Sequence, residues 1–199
     1  MFVTFEGLDG SGKSTQAVLL REALVAEGRK VVATREPGGT EVGERVRELL
    51  KDPAVSLTPE GEALLFAAAR AELVARVIRP ALEDGADIVC DRYIDSSLAY
   101  QGIARGLGVE RVLELNLQAT RGLLPDRTFL ILLDPAEAAR RAGGDPDRIE
   151  REGGDFRSAV DKAYRELASM FPKRVVALDG SMSPRDLAVE IRGQVRDLS

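Results

Sequence analysis

Histidine is absent from this chain, and cysteine occurs once, as Cys90. The first absence excludes an imidazole general base. The second excludes a disulfide framework and any cysteine-based metal site. No apolar run approaches the ~18 residues of a membrane span. Met1 leads straight into an apolar segment, so no signal or transit peptide is expected and a cytoplasmic location follows. Positive charge is in deficit: 28 Lys and Arg against 33 Asp and Glu leave a net charge of −5. Such a chain lacks the broad basic face that coats nucleic acid. A local basic pocket for a small phosphorylated ligand stays compatible with it. At 199 residues and 44% hydrophobic content, one α/β domain with a sizeable core is expected, spanning residues 1–199.

What is present is concentrated first in Gly7–Thr15, GLDGSGKST. Gly7, Gly12, Lys13 and Ser14 fill the fixed positions of G-x-x-x-x-G-K-[ST], the phosphate-binding P-loop. Glycine lets the backbone wrap phosphate oxygens without a Cβ clash. The loop's N–H groups form an anion nest, and the following helix points its positive end at the same place. Lys13 can reach the β- and γ-phosphates of a nucleoside triphosphate, and the Ser14 hydroxyl can ligate Mg²⁺.

Strand and helix patterns alternate along the chain. Strands are expected at Met1–Phe5, Lys30–Thr34, Asp87–Asp91, Thr128–Leu133 and Arg174–Leu178. Helices are expected at about Ser14–Glu27, Glu41–Leu50, Pro59–Leu82, Asp95–Ala104, Val109–Thr120, Ala136–Arg141, Phe156–Met170 and Pro184–Asp197. Thr58 caps the third of these and Pro59 opens its first turn. The fold class is therefore α/β: a P-loop three-layer sandwich with a five-stranded, mostly parallel sheet and helices on both faces. Gly143–Gly154 is polar, charged and bracketed by glycine pairs, which suits either a mobile lid over about 141–153 or a solvated loop.

Ligands of such sheets sit at the carboxyl ends of the strands. Asp9 lies within the P-loop, where a carboxylate repels phosphate; it either stabilises the turn or faces a second ligand or the metal. Arg35-Glu36-Pro37-Gly38 follows the second strand and is either a polar turn or a ligand contact, with Arg35 placed to clamp a phosphate and Glu36 for substrate or water-mediated metal contact. Asp91 ends the third strand in a Walker B-like position for Mg²⁺, and Arg92 follows at once. Arg in that place suits a second phosphate group rather than hydrolysis. Phe66, Arg70 and Leu73 share a helix face. Arg70 there either forms a structural salt bridge or reads a ligand, with Phe66 stacked on a flat base. Ser96, Ser97, Tyr100 and Gln101 are either ordinary surface helix residues or, together with Arg92, a polar pocket wall. Arg140, Arg141, Arg148 and Arg151 cluster around the glycine-bracketed segment, with Asp147 and Glu150 placed to balance them or help hold the metal.

Five stretches together resemble the bacterial thymidylate kinases: Phe5–Thr15 (FEGLDGSGKST), Thr34–Thr40 (TREPGGT), Phe66–Leu73 (FAAARAEL), Asp91–Gly102 (DRYIDSSLAYQG) and Asp147–Glu150 (DRIE). The resemblance covers essentially the whole chain and implies phosphate transfer from ATP to dTMP with Mg²⁺. It implies that Gly7, Leu8, Asp9, Gly10, Ser11, Gly12, Lys13, Ser14 and Thr15 bind ATP. Phe66 would stack on thymine and Arg70 hydrogen-bond its edge, in a pocket that includes Glu36, Pro37, Ser96, Ser97 and Gln101. Arg92 would hold the dTMP phosphate, Asp9 the 3′-hydroxyl, and Tyr100 would crowd the 2′ position. Lys13, Arg92, Asp9 and a lid arginine would serve catalysis, Arg141 first and Arg148 next. Ser14, Asp91 and Glu150 would serve the metal. Gly143 departs from the family by standing where a basic lid residue is often found. The family's homodimer, its cytoplasmic location and its lack of nucleic-acid or membrane partners are implied as well.

Overall fold

The computed structural model describes residues 1–198. Five strands form one sheet: β1 (Phe2–Glu6), β2 (Val31–Arg35), β3 (Asp87–Asp91), β4 (Arg127–Leu132) and β5 (Val175–Asp179). Their order is β2-β3-β1-β4-β5, and every pairing is parallel. The expected strands are thus all present, four of them displaced by one residue toward the C-terminus or N-terminus. The sheet is fully rather than mostly parallel.

The helices are α1 (Lys13–Ala26), α2 (Glu41–Lys51), α3 (Pro59–Leu73), α4 (Arg79–Glu83), α5 (Ile94–Ser97), α6 (Val109–Thr120), α7 (Pro135–Ala142), α8 (Gly153–Met170) and α9 (Pro184–Arg196). Short polar residues start several of them. Thr40, Thr58, Asp134 and Ser183 each accept a hydrogen bond from a first-turn N–H, and proline opens α3, α7 and α9. The long helix expected from Pro59 is interrupted by a wide π-type stretch, Val74–Ile78, which carries it into α4. The same widening at Leu98–Ala104 prolongs α5. Such wide turns recur at functional sites, and the second of these lines the cavity described below.

Alternation along β1 sorts its side chains onto two faces. Val3 and Phe5 join Ala17, Leu20 and Leu24 of α1 and Leu187, Ile191 and Val195 of α9. On the opposite face, Phe2 packs with Leu73, Ile78, Ile88 and Tyr93. Leu130 and Val175 extend that face under Leu98, Val112, Val160 and Tyr164. Helices therefore cover both sides of the sheet. The carboxyl ends of β1, β3 and β4 open in one direction, toward the P-loop, Asp91-Arg92 and α7.

Candidate active site

The P-loop joins β1 to α1. A Cβ on Gly7 would sit 2.4 Å from the Ile131 carbonyl oxygen, and one on Gly10 would sit 2.1 Å from that of Ala138. Both residues also have positive φ, so no other side chain fits there. The loop is pressed against β4 and α7, and the Ser11 N–H donates to the Leu8 carbonyl at 3.1 Å to close its turn. Gly12 precedes α1 at φ +101 and offers no side-chain cap, and the first turn of α1 carries no acidic residue. That helix terminus keeps its positive end for an anion. The buried Ser11 hydroxyl has no partner among the described residues, an unmet polar atom inside the same loop.

Lys13 is buried; its Nζ donates to the Leu8 carbonyl at 2.7 Å and lies 3.7 Å from Asp9. Burial and the nearby Arg92 lower its pKa to about 8, against the pull of Asp9, Asp91 and Glu6. The Ser14 hydroxyl donates to the Asp91 carboxylate. A hydroxyl and a carboxylate at one spot make an oxygen donor pair that suits a hard divalent cation.

Arg92 stands at the centre of the site. Its φ is +69, a left-handed conformation that disfavours a side-chain-bearing residue by about 1–2 kcal/mol. Neighbouring bonds hold it there: its N–H donates to the Phe5 carbonyl at 2.9 Å, and the next N–H, of Tyr93, donates to Glu6 at 2.7 Å. Its guanidinium donates to Asp9 at 2.7 Å, to the Ser96 hydroxyl at 3.0 Å and to the Tyr164 hydroxyl at 3.1 Å. It also lies 5.5 Å from the centre of the Tyr100 ring. Burial opposes the charge on Asp9, but Arg92 and Lys13 hold its carboxyl well below the usual carboxylate range.

Two cavities meet here. One, of about 180 Å³, lies between the P-loop and the lid and is lined by Leu8, Asp9, Tyr100, Gly143, Glu150 and Arg157 among others. The second, of about 100 Å³, reaches the buried Glu36, Ser97 and Gln101 and so lies deeper; Pro37, Phe66 and Arg92 line it as well. Asp9 and Tyr100 line both. Asp147 and Ile149 of the lid, with Leu50 and Lys51 of α2, roof the deeper one.

The sequence-expected residues separate into three groups. Glu36, Pro37, Phe66, Arg92, Ser96, Ser97, Tyr100 and Gln101 are brought together on one cavity wall. Arg70 stands behind that wall, 1% exposed, with all five N–H groups engaged. They meet Glu36 twice, the Tyr93 carbonyl, the Ser97 hydroxyl at 2.9 Å and the Asn116 side chain. The structural ion pair is therefore present, and direct contact with a base edge requires one partner to yield. Glu150 is the third case. Its carboxylate accepts from the Asp147 N–H at 2.9 Å and closes a lid turn. Glu150 also lines the outer cavity with Leu8 and Asp9 of the P-loop.

The lid arginines are engaged elsewhere. Arg140 and Arg141 both bond Glu137, and Arg141 also reaches the Gly180 carbonyl at 3.2 Å. Arg148 is turned inward onto Glu62, and Arg151 bonds Asp145 and the Pro146 carbonyl. Residues 147–150 of the segment are half-buried against the protein, while 143–146 and 151–154 are exposed.

A family model described as thymidylate kinase matches residues 5–191 of this chain. A thymidylate kinase of Symbiobacterium thermophilum is 48% identical over 200 residues, covering 100% of this chain and 94% of that protein. One from Deinococcus radiodurans is 46% identical, covering 99% and 97%. The chain belongs to the thymidylate kinase family. The crystal structure of a thymidylate kinase from Ehrlichia chaffeensis superposes with a TM-score of 0.77 at 34% identity, over 98% of each chain. The reaction of this chain is the ATP-dependent phosphorylation of dTMP to dTDP.

Three residues of the kinase's site escape the sequence reading. Arg157, which lines the outer cavity, makes no ion pair or hydrogen bond among the described residues. It shares a helix face with Val160 and Tyr164 by its i+3 and i+7 spacing, a signal available in the sequence. Tyr164 and Glu6 form the buried support of Arg92. Glu6 is fully buried and accepts from the Ser96 hydroxyl at 2.6 Å and the Tyr164 hydroxyl at 3.0 Å. Its signal was a carboxylate ending an apolar strand, which needs partners to be tolerated.

Burial, reinforced by Asp95, raises the Glu6 pKa from 4.5 to about 7, although Arg92, Ser96 and Tyr93 oppose the rise. Between those two values the folded protein keeps a proton that the unfolded chain has released. Stability therefore falls as pH rises through that window, by about 3 kcal/mol at most. Glu6→Gln cannot ionise, and it should flatten this decline in urea denaturation at pH 5 and pH 8. An unchanged decline would assign the titration to another group.

Proposed function

We propose that the deeper cavity takes dTMP, that the P-loop takes ATP with Mg²⁺, and that Arg92 brings the two phosphate groups together. The observation that carries this reading is the position of Arg92, which lines the deeper cavity while bonding Asp9 of the P-loop. A dTMP phosphate replaces some of the present partners of Arg92. Asp9 and Tyr100, at the junction of the cavities, then face the sugar: Asp9 accepts from the 3′-hydroxyl, and the Tyr100 ring leaves little room for a 2′-hydroxyl. Phe66 offers an apolar ring to the base. Glu62 binds the Gln101 amide nitrogen at 2.8 Å, so the Gln101 carbonyl oxygen is left to accept from a base N–H. The Glu36 Oε1 atom, buried and without a partner, offers a further acceptor on the same wall.

The acceptor in this reaction is a phosphate oxygen, already ionised at neutral pH, so no strong base is needed. That agrees with the missing histidine. Catalysis then rests on positioning and charge neutralisation around a loose transition state. The P-loop N–H groups and Lys13 hold the β- and γ-phosphate oxygens. Ser14 and Asp91 would hold Mg²⁺, which when bound neutralises charge between those phosphates. Arg141 is the lid cation assigned to the transferring group, and to reach it Arg141 would leave Glu137 and the Gly180 carbonyl, just as Arg148 would have to leave Glu62 and Arg151 the lid's own turn. The docked lid excludes water and so limits ATP hydrolysis.

The same reading makes the chain a single kinase domain, cytoplasmic and homodimeric through its helices. No described helix is long and apolar enough to cross a membrane. Val42 and Leu49, seven residues apart on α2, and Leu64 on the adjoining α3 are exposed, which suits a covered helical face. The test is ADP release from MgATP with dTMP, dUMP, dCMP, AMP, GMP or no acceptor. Release should depend on dTMP. Activity confined to another monophosphate would keep the P-loop and overturn the roles of Phe66, Gln101 and Tyr100.

A further inference from the structure

Glu62 lies in the first turn of α3, outside the strand ends and outside the P-loop. It is 1% exposed, and both of its oxygens are occupied. Oε1 accepts from the Gln101 amide at 2.8 Å and from Arg105 Nε at 3.3 Å. Oε2 accepts from Arg148 at 2.7 Å and from Arg105 at 3.2 Å. Burial opposes its charge, but these hydrogen bonds from Gln101, Arg105 and Arg148 hold its pKa below the ordinary carboxylate value. Glu62 is thus an ionised acceptor with three donors, one from the cavity wall and one from the lid.

Two consequences follow from its chemistry. An ionised carboxylate can only accept, so the Gln101 amide must present its nitrogen to Glu62 and keep its oxygen on the other side. Turning that amide over would set an oxygen against a buried carboxylate. Arg148, meanwhile, is only 9% exposed in its side chain and is seated on the body of the protein. Its Nε donates to the Leu50 carbonyl at 2.8 Å and its backbone N–H to that of Lys51 at 3.1 Å. Arg105 adds a bond of 2.7 Å to Glu152 at the far end of the lid, and its guanidinium lies 4.5 Å from the Phe156 ring centre. Without the Glu62 charge, Arg105 and Arg148 would face each other with Glu152 as their one remaining carboxylate in this cluster.

We propose that Glu62 is a positioning residue that fixes the Gln101 amide in one orientation and latches the lid over the same cavity, so that one carboxylate sets base selectivity and lid docking together. The proposal rests on the reading of the deeper cavity as the dTMP site. It predicts selectivity for a base with a ring N–H donor over one with a ring acceptor at that position, such as cytosine.

The experiment compares wild type, Glu62→Gln and Arg148→Ala in three measurements: kcat/KM for dTMP and dCMP, protease cleavage within residues 143–149, and hydrogen exchange of the Gln101 side-chain amide by NMR. Glu62→Gln should lower the dTMP-to-dCMP ratio by about 10- to 100-fold, the range expected when a buried donor–acceptor match is lost. It should also speed lid cleavage and amide exchange. Arg148→Ala should speed lid cleavage and leave the ratio and the amide exchange at wild-type values. A wild-type ratio and wild-type lid protection in Glu62→Gln would overturn the proposal. So would an equal fall of the ratio in Arg148→Ala, because selectivity would then run through lid closure alone. If Glu62→Gln does not fold, wild-type amide exchange decides: protection supports the proposal, and the rate of a free glutamine overturns it. Wild-type protein that leaves dTMP unphosphorylated would instead defeat the function reading, while the cleavage and exchange measurements would still judge Glu62.

Discussion

Arg92→Ala should lower kcat/KM for dTMP by about 10³-fold or more, the scale on which a single arginine neutralises a transferring phosphoryl group. ATP affinity should change little, because the P-loop backbone and Lys13, rather than Arg92, are the groups proposed to hold that nucleotide. The expectation follows from geometry. A left-handed backbone at φ +69 turns Arg92 off the end of β3, and hydroxyls of Ser96 and Tyr164 hold one arm of its fork while Asp9 holds the other. The guanidinium is positioned before substrate arrives, so little ordering remains to be done on binding. Arg92→Lys should recover only part of the loss, since a lysine keeps the charge and lacks the fork. A fall below about tenfold in Arg92→Ala would remove this residue from the transfer step.

Arg70→Met should have the largest effect on stability, about 3–5 kcal/mol, as expected when one partner of a buried ion pair is removed. For a chain of this size that corresponds to roughly 6–20 °C in Tm. The loss arises less from missing attraction than from what remains: Glu36, 5% exposed, would stand in the wall without its cation. Burial already raises the Glu36 pKa despite Arg70, so the carboxylate would take up a proton more readily still once the cation is gone. Glu36→Gln added to Arg70→Met should therefore restore part of the stability. A destabilisation under about 1 kcal/mol, measured by urea denaturation, would show that the pair is not the brace described here.

These two residues also show what was legible in the sequence. Arg92 could be read, because it directly follows a strand-ending acid, and strand ends carry ligands in parallel sheets. The P-loop, the five strands and the wall of Phe66, Ser97, Tyr100 and Gln101 were readable for similar reasons: each depends on short-range spacing. Arg70 was read as a residue on an apolar helix face, with a salt bridge and a ligand contact both open. Only the fold, which brings Glu36 from 34 positions away, places all five of its donors. Glu6, Tyr164 and Glu62 were missed because their partners are remote in sequence: Glu6 meets Tyr164 across 158 positions, and Glu62 meets Arg148 across 86. The lid was read as arginines around a flexible segment. Its buried carboxylate partner, Glu62, belongs to a helix whose packing the charge pattern does not specify, whereas Glu137 stands three and four positions before Arg140 and Arg141 on α7, a spacing available in the sequence.

The central claim is that the cavity bounded by Phe66, Arg92 and Gln101 is the dTMP site. Its most direct test is titration of the full-length protein with dTMP alone, followed by residue-resolved NMR shifts. The largest shifts should cluster at Phe66, Arg92, Ser97, Tyr100 and Gln101, with smaller ones at Asp147 and Ile149 of the roof. Shifts centred instead on the separate surface cavity lined by Asp134, Glu137, Arg141 and Ser181 would contradict it.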